Sequence, residues 1–129
     1  MAITPSVVAN VFKRDVLKGT HNFTNPGGNT FKLSLYTSSA TLGKSTTSYT
    51  SDNDVSSASG YSATGKALAA VTPVLSTDTA VVDFDDLSFV GVTLTARGAL
   101  IYNDSATGDP AVAVLDFGGD KTATSGTFT

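Results

Sequence analysis

Hydrophobic and polar positions follow two different spacings along this chain. Between residues 5 and 18 the apolar positions recur three or four residues apart, as expected for one face of a helix. They are Val8, Val11, Phe12 and Val16, with Lys13, Arg14 and Lys18 between them. Pro5 suits a first helical turn and Gly19 suits a helix end. The pattern therefore predicts one short N-terminal helix over residues 5–18.

From residue 31 onward a spacing of two dominates, which is typical of β-strands. FKLSLYT at 31–37 alternates strictly and predicts a half-buried strand, and TAVVDF at 79–84 predicts a short one. FVGVTLTARGALIYN at 89–103 keeps most of its apolar residues, from Val90 to Tyr102, on one parity. Because 15 residues is long for one strand, we expect a bulge or bend at Arg97–Gly98.

The C-terminal third ends in a different pattern. AVAVLDF at 111–117 is apolar on both faces, so we expect this strand to lie centrally in a sheet or to face a partner subunit. GGDK at 118–121 predicts a turn. The last segment, GTFT, carries one aromatic residue, which predicts a terminal strand that is very short or completed elsewhere.

Residues 38–59 are almost entirely Ser, Thr, Asp, Asn and Ala, with Leu42, Tyr49 and Val55 as isolated apolar anchors. We interpret this segment as a long polar loop, which either wraps an edge or a neighbouring molecule or is simply flexible. Together with about seven strands and the helix, it indicates a mainly β fold. The expected architecture is a single domain over 1–129, an antiparallel β-sandwich or barrel.

Composition excludes several kinds of chemistry. The chain has no cysteine and one histidine, His21, so disulfides, thiolate sites and multi-histidine metal sites are ruled out. A net charge of −3 argues against binding to a nucleic-acid backbone. No apolar stretch approaches the ~18 residues that span a bilayer. Without a recognisable secretory signal, we expect a chain made in a cytoplasm and soluble there, with no membrane partner.

All eleven acidic residues are aspartate, and several are adjacent in sequence. Asp83, Asp85 and Asp86 could in principle serve glycoside hydrolysis or hold calcium. The glycine and the further oxygen donors of a calcium loop are missing, so we interpret them as solvated aspartates at a strand end. Asp52 and Asp54 receive the same interpretation. His21 is expected to make a structural hydrogen bond. We therefore predict no enzyme, no catalytic residue, no metal site and no cofactor.

Arg97 is a lone cation in the most apolar strand region. Arginine is favoured in interfacial and buried ion pairs, so an aspartate partner across strands or across subunits is expected, with simple exposure as the alternative. As candidate residues of an interface between subunits we take Arg97, Val112, Val114 and Phe12.

Several phrases of the sequence resemble a family of small β-rich virion proteins of tailed bacteriophages. They are FKLSLYTSSATL at 31–42, SGYSATGKAL at 59–68, TARGALIYND at 95–104 and AVAVLDFGGDKT at 111–122. The resemblance covers roughly residues 12–129, and the last two phrases are its most specific part. It implies a virion component without catalytic residues. It also implies that relatives continue past the TSGTFT-like segment into a further apolar strand.

Two roles follow from this resemblance. The first is a capsid decoration (cement) protein, a homo-oligomer with a trimer favoured, whose partner is the major capsid protein of the virion. It would work by burying area across joints between shell subunits. The second is a tail or tail-fibre component that contacts the host receptor or acts as an adaptor, for which Ser/Thr-rich loops would suit sugars. Copy number per particle discriminates between the two.

Overall fold

The computed structural model describes residues 3, 5–56 and 59–129. It is mainly β, with antiparallel sheets arranged like a sandwich rather than a closed barrel, and with one short helix. The elements in chain order are β1 (Val7–Val8), α1 (Asn10–Leu17), β2 (Phe31–Tyr36), β3 (Lys66–Leu68), β4 (Ala70–Ser76), β5 (Thr79–Phe84), β6 (Phe89–Asn103) and β7 (Ala111–Phe128). Five strands form one sheet in the order β1-β7-β6-β2-β3, and β4 and β5 form a separate hairpin.

The helix is shorter than its sequence pattern predicts. It begins at Asn10, not at residue 5, because Val7 and Val8 pair with Val114 and Ala113 of β7 as a short strand. Ala9 is extended, and its N–H donates to the Val112 carbonyl, which fixes the chain before the first helical turn. The helix ends at the predicted place, with Gly19 at a φ of +75°.

The expected break in β6 is confirmed, and it has a larger effect than a bend. The register with β7 shifts between Ala96 and Gly98, where the single residue Arg97 of β6 lies opposite residues 117–120 of β7. A shift by an odd number of residues exchanges the two faces of one strand relative to the other. Val92, Leu94 and Ala96 therefore share a core with Ala99, whereas Leu100 and Tyr102 belong to another core. The single parity that the sequence predicts across this strand is wrong for that reason.

Gly98 is required by close packing at the same place. A Cβ on this residue would lie 2.6 Å from the Leu115 carbonyl oxygen and 2.7 Å from Cγ2 of Ile3. Since real Cβ atoms do not approach a backbone oxygen so closely, any other residue would force β6 away from β7.

The turn predicted at GGDK is absent, and the prediction of a very short last strand is wrong. β7 continues through these residues to Phe128, pairing with the first half of β6 from Lys121↔Ala96 to Phe128↔Phe89. The two glycines lie in the irregular stretch 117–120, where the register with β6 shifts and Gly118 has a φ of +76°, and regular pairing resumes at Lys121. In its first half β7 lies between β1 and β6, which explains why AVAVLDF is apolar on both faces.

The sheet has one closed and one open face. Directly paired antiparallel residues lie on the same side. Tyr36, Leu100, Tyr102 and Val114 point to the closed face, which α1 and the segment around Ala40 and Leu42 cover. Leu33, Leu35, Ile101 and Leu115 point to the other side, the open face. Tyr61, Leu87 and Phe89 cover it only in part.

Candidate interaction surfaces

The long polar segment is held against the sheet by a buried carboxylate. Asp54 is 4% exposed, so the interpretation of this residue as a solvated aspartate is wrong. Its Oδ2 accepts hydrogen bonds from the Tyr49 hydroxyl at 2.7 Å and the Thr64 N–H at 3.2 Å. Its Oδ1 accepts from the Tyr61 hydroxyl at 2.9 Å and the Ser56 N–H at 3.0 Å. With four donors around it, the carboxylate is saturated by the chain itself.

Tyrosines extend this cluster to the sheet. The Leu35 N–H donates to the Tyr61 hydroxyl oxygen at 3.0 Å, and the Tyr102 hydroxyl donates to the Thr64 carbonyl at 2.5 Å. The Tyr36 hydroxyl donates to the Thr50 carbonyl at 2.7 Å. Burial raises the pKa of Tyr36 to about 12 and raises the pKa values of the other tyrosines as well. All four tyrosines thus stay protonated near neutral pH and act as donors.

The described part of residues 38–59 contains no helix or strand of its own, as predicted for a loop. Leu42 is buried, and Tyr49 and Val55 are half-buried, which confirms them as anchors. The Asp54 cluster was not foreseen from the sequence. An aspartate between Asn53 and Val55 carries no signal of burial in the sequence, because its burial depends on how the chain brings the hydroxyls of Tyr49 and Tyr61 around it.

Arg97 has an aspartate partner on the neighbouring strand. Its Nε lies 3.8 Å from Oδ1 of Asp116, and the two side chains are 34% and 18% exposed. The expected cross-strand ion pair is therefore present within the chain. The Arg97 Nε makes no hydrogen bond in the described part of the chain.

The other residues taken as interface candidates occupy different environments. Val114 is fully buried on the closed face, and Val112 is buried beside Phe23 and Phe31. Both valines thus pack inside this chain, and contact of either with a partner stays a prediction. Phe12 is half-buried, with its ring 6.0 Å from that of Phe23. Contact of Phe12 or Arg97 with a partner stays a prediction.

His21 lies between aromatic rings at the end of α1. Asn103 Nδ2 donates to its Nδ1 at 3.0 Å, which places the proton of the neutral imidazole on Nε2. The Phe12 ring centroid is 4.9 Å away. Burial lowers the pKa of His21, an effect that the Asp15 carboxylate partly opposes. The expectation of a structural hydrogen bond is confirmed.

The aspartates around residue 85 do not converge on a site. Asp83, Asp85 and Asp86 are exposed, and Asp83 Oδ1 accepts the N–H of the next residue, Phe84, at 2.8 Å. Across the described ranges, no three His, Asp, Glu or Cys side chains form a group that could hold a metal ion. The arrangement is that of separate carboxylates in solvent.

The open face of the sheet forms the wall of an apolar groove of about 730 Å³. Its opposite wall is the base of the hairpin and the linker to β6. The apolar residues that line the groove are Leu33, Leu35, Leu68, Val82, Phe84, Leu87, Phe89, Ile101, Leu115, Phe117 and Phe128. Among the charged residues, Asp83 and Lys121 lie at its rim.

The β4–β5 hairpin itself exposes apolar side chains on a narrow ribbon. Leu75 is 78% exposed, and four valines, Val71, Val74, Val81 and Val82, are exposed as well. At its base the hairpin is fastened to the body: Asn25 Nδ2 donates to the Ala70 carbonyl, and Phe84 packs near Phe31. A two-stranded ribbon is marginal alone, so the projecting part gains little stability from this chain.

Exposed large hydrophobic residues cluster at a second place, the end of α1. Leu17 is 89% exposed and Val16 is half-exposed. Lys13, Arg14 and Lys18 surround them, and the one acid of the helix, Asp15, is buried and paired with Arg14. The hairpin segment 69–86 has the opposite charge, with four aspartates and no lysine or arginine. The hairpin, the end of α1 and the groove are the candidate interaction surfaces of this chain.

Fold and surfaces define a small, mainly β protein with an apolar groove, an exposed apolar hairpin and an exposed helix end. Comparison with family models, curated proteins and solved structures found no match. In the part of the chain that the structure describes, no helix is long and apolar enough to cross a membrane.

Proposed function

We propose that this chain is a structural protein of a tailed-bacteriophage virion, and specifically a capsid decoration (cement) protein that binds the major capsid protein. The observation that carries the proposal is the apolar hairpin, a projecting ribbon with Leu75 and four valines in solvent. Monomeric proteins seldom leave such a ribbon uncovered, because contiguous exposed apolar patches mark interaction sites. The likeness of residues 95–122 to phage virion proteins supports the same role.

The proposed mechanism is contact without chemistry. A protein that binds only the assembled shell stabilises it by mass action, by an amount that grows with the logarithm of its concentration relative to the dissociation constant. A typical specific interface buries about 1,600 Å² in total, and repetition over the shell multiplies the effect. The exposed hairpin and the groove offer apolar area for contacts of this kind, with the shell subunit or between copies of this chain.

Copy number in purified virions tests the proposal and separates it from a role in the tail. Particles whose genome encodes this chain would be analysed by quantitative mass spectrometry, with the major capsid protein as the internal standard. Decoration predicts a copy number comparable with that of the shell subunit, and particles stripped of the chain should lose DNA at a lower temperature. A copy number matching tail proteins would instead support the tail or fibre role. Absence of the chain from virions would overturn both.

A further inference from the structure

Two exposed apolar patches with opposite charge lie on one chain. We infer that the β4–β5 hairpin of one copy packs against the exposed end of helix α1 on a second copy, so that the chain associates with itself. This deepens the proposed contact role by naming a partner, a second copy of this chain, and the two surfaces that meet. The two surfaces are both exposed, and they differ in shape and in the sign of their charge.

Each patch has an exposed leucine at its centre. Leu75 on the hairpin and Leu17 on the helix are 78% and 89% exposed, so the two patches do not cover each other within one molecule. Both leucines would be shielded if the hairpin of one copy reached the helix of another. The two patches also carry opposite charges, which favours contact between a hairpin and a helix end over contact between two like patches.

The hairpin segment carries Asp78, Asp83, Asp85 and Asp86 without any cation. The helix end offers Lys13 and Lys18 around its leucine, both exposed and neither paired with an acid in the described chain. Two hairpins would repel each other, as would two helix ends. Only the pairing of unlike patches joins apolar area and opposite charge, and such complementarity fixes the choice of partner.

Geometry sets the form of the assembly. A contact between two different patches is heterologous: it closes into a ring, is made twice in a two-fold dimer, or continues as an open filament when the rotation does not close. The expected form is one of the two closed ones. In either case every hairpin and every helix end can be occupied. The expected product is a discrete oligomer whose mass is a small multiple of 13.1 kDa.

A charge-swap experiment on the full chain tests the inference. Sedimentation velocity over a concentration series would compare the wild type with D78K/D83K, with K13E/K18E and with the combination of all four changes. Each reversal should raise the dissociation constant about tenfold or more, and the combination should bring it back to within about threefold. Raising the salt concentration should weaken wild-type association.

Apolar contact is tested by L75S, with V90S as the matched control. Both positions are exposed, but Val90 lies outside the two patches. We expect L75S to raise the dissociation constant about tenfold and V90S to leave it unchanged. Circular dichroism melting would verify that every variant is folded.

Three results would overturn the inference: a wild type that stays monomeric up to millimolar concentration, reversals without effect, or single reversals that the combination does not restore. Failure of the proposed function is distinguishable. A monomeric chain found on virions would leave that function standing and assign the two patches to capsid contacts, whereas a self-associating chain absent from virions would overturn the function alone.

Discussion

The 36–64 region and the β4–β5 hairpin are both rich in Ser, Thr and Asp, yet they use these residues in opposite ways. The first folds back on the sheet, buries Asp54 and saturates it with tyrosine and backbone donors. The second leaves its aspartates and its valines in solvent. Polar sequence alone thus does not separate a segment that packs on the sheet from one that stays in solvent. The difference lies in the hydroxyls of Tyr49 and Tyr61, which give the first region donors for its buried carboxylate.

A leucine packed beneath the 36–64 region and a leucine of the hairpin should respond very differently to truncation. Leu100→Ala removes a fully buried side chain from the closed face, and we expect a loss of roughly 2–5 kcal/mol in the free energy of unfolding. Leu75→Ala, at the exposed hairpin, should change it by less than about 0.5 kcal/mol. Urea unfolding at low protein concentration measures both. Equal losses would mean that the hairpin is part of the core.

Removing the carboxylate of the polar cluster comes next in size. Asp54→Ala leaves two tyrosine hydroxyls and two backbone N–H groups without their acceptor, so we expect a loss of roughly 2–4 kcal/mol. Asp52→Ala, two residues away and exposed, is the control and should stay within about 0.5 kcal/mol. A small effect at Asp54 would show that the cluster does not hold the segment in place.

Single hydrogen bonds refine the same comparison. Tyr102→Phe deletes the donor to the Thr64 carbonyl and should lower the free energy of unfolding by about 1 kcal/mol. Thr72→Val removes the exposed hydrogen bonds to Asn25 at the hairpin base and should have less than about half that effect. Thermal melting monitored by tyrosine absorbance can rank the two, and the reverse order would contradict the distinction between the regions.

The smallest expected effect is a dependence on pH. Because burial lowers the pKa of His21 in the folded chain, the unfolded chain takes up a proton first as the pH falls. The melting temperature should therefore decrease as the pH drops through about 6.5, and level off below the folded-state pKa. His21→Asn should flatten the profile between neutrality and the range where aspartates titrate. An unchanged slope in that variant would assign the dependence to other groups.

Much of the fold could be predicted from periodicity. The strand at 31–36, the strand at 79–84, the break at Arg97 and the antiparallel β class all follow from local alternation and strand length. The continuation of β7 through GGDK could not, because pairing with the distant Phe89–Ala96 half of β6 decides it. The helix start was missed for a similar reason, since Val7 and Val8 satisfy their backbone on β7.

The surface residues could be predicted less well from the sequence than the strands. The two valines of AVAVLDF were placed at an interface because a doubly apolar strand can face either a partner or its own molecule, and sequence does not distinguish these. For the exposed valines of the hairpin the sequence is equally ambiguous, because it does not show whether another part of the chain covers them. Valine is typical of covered strands, and only the folded chain shows that these four stay exposed among its described residues.

The register shift at Arg97 also determines where this chain can change length. On either side of it, a one-residue deletion or insertion in β6 would exchange a buried row of side chains for an exposed one. Deleting Arg97 itself would instead give one uninterrupted alternation in which Leu94 and Leu100 stay on opposite sides, as they are in the folded chain. The turn at Thr77–Asp78 lies outside both cores, so a foreign peptide inserted there would leave the body intact. An insertion at that turn would therefore disturb the inferred contact between copies without unfolding the body.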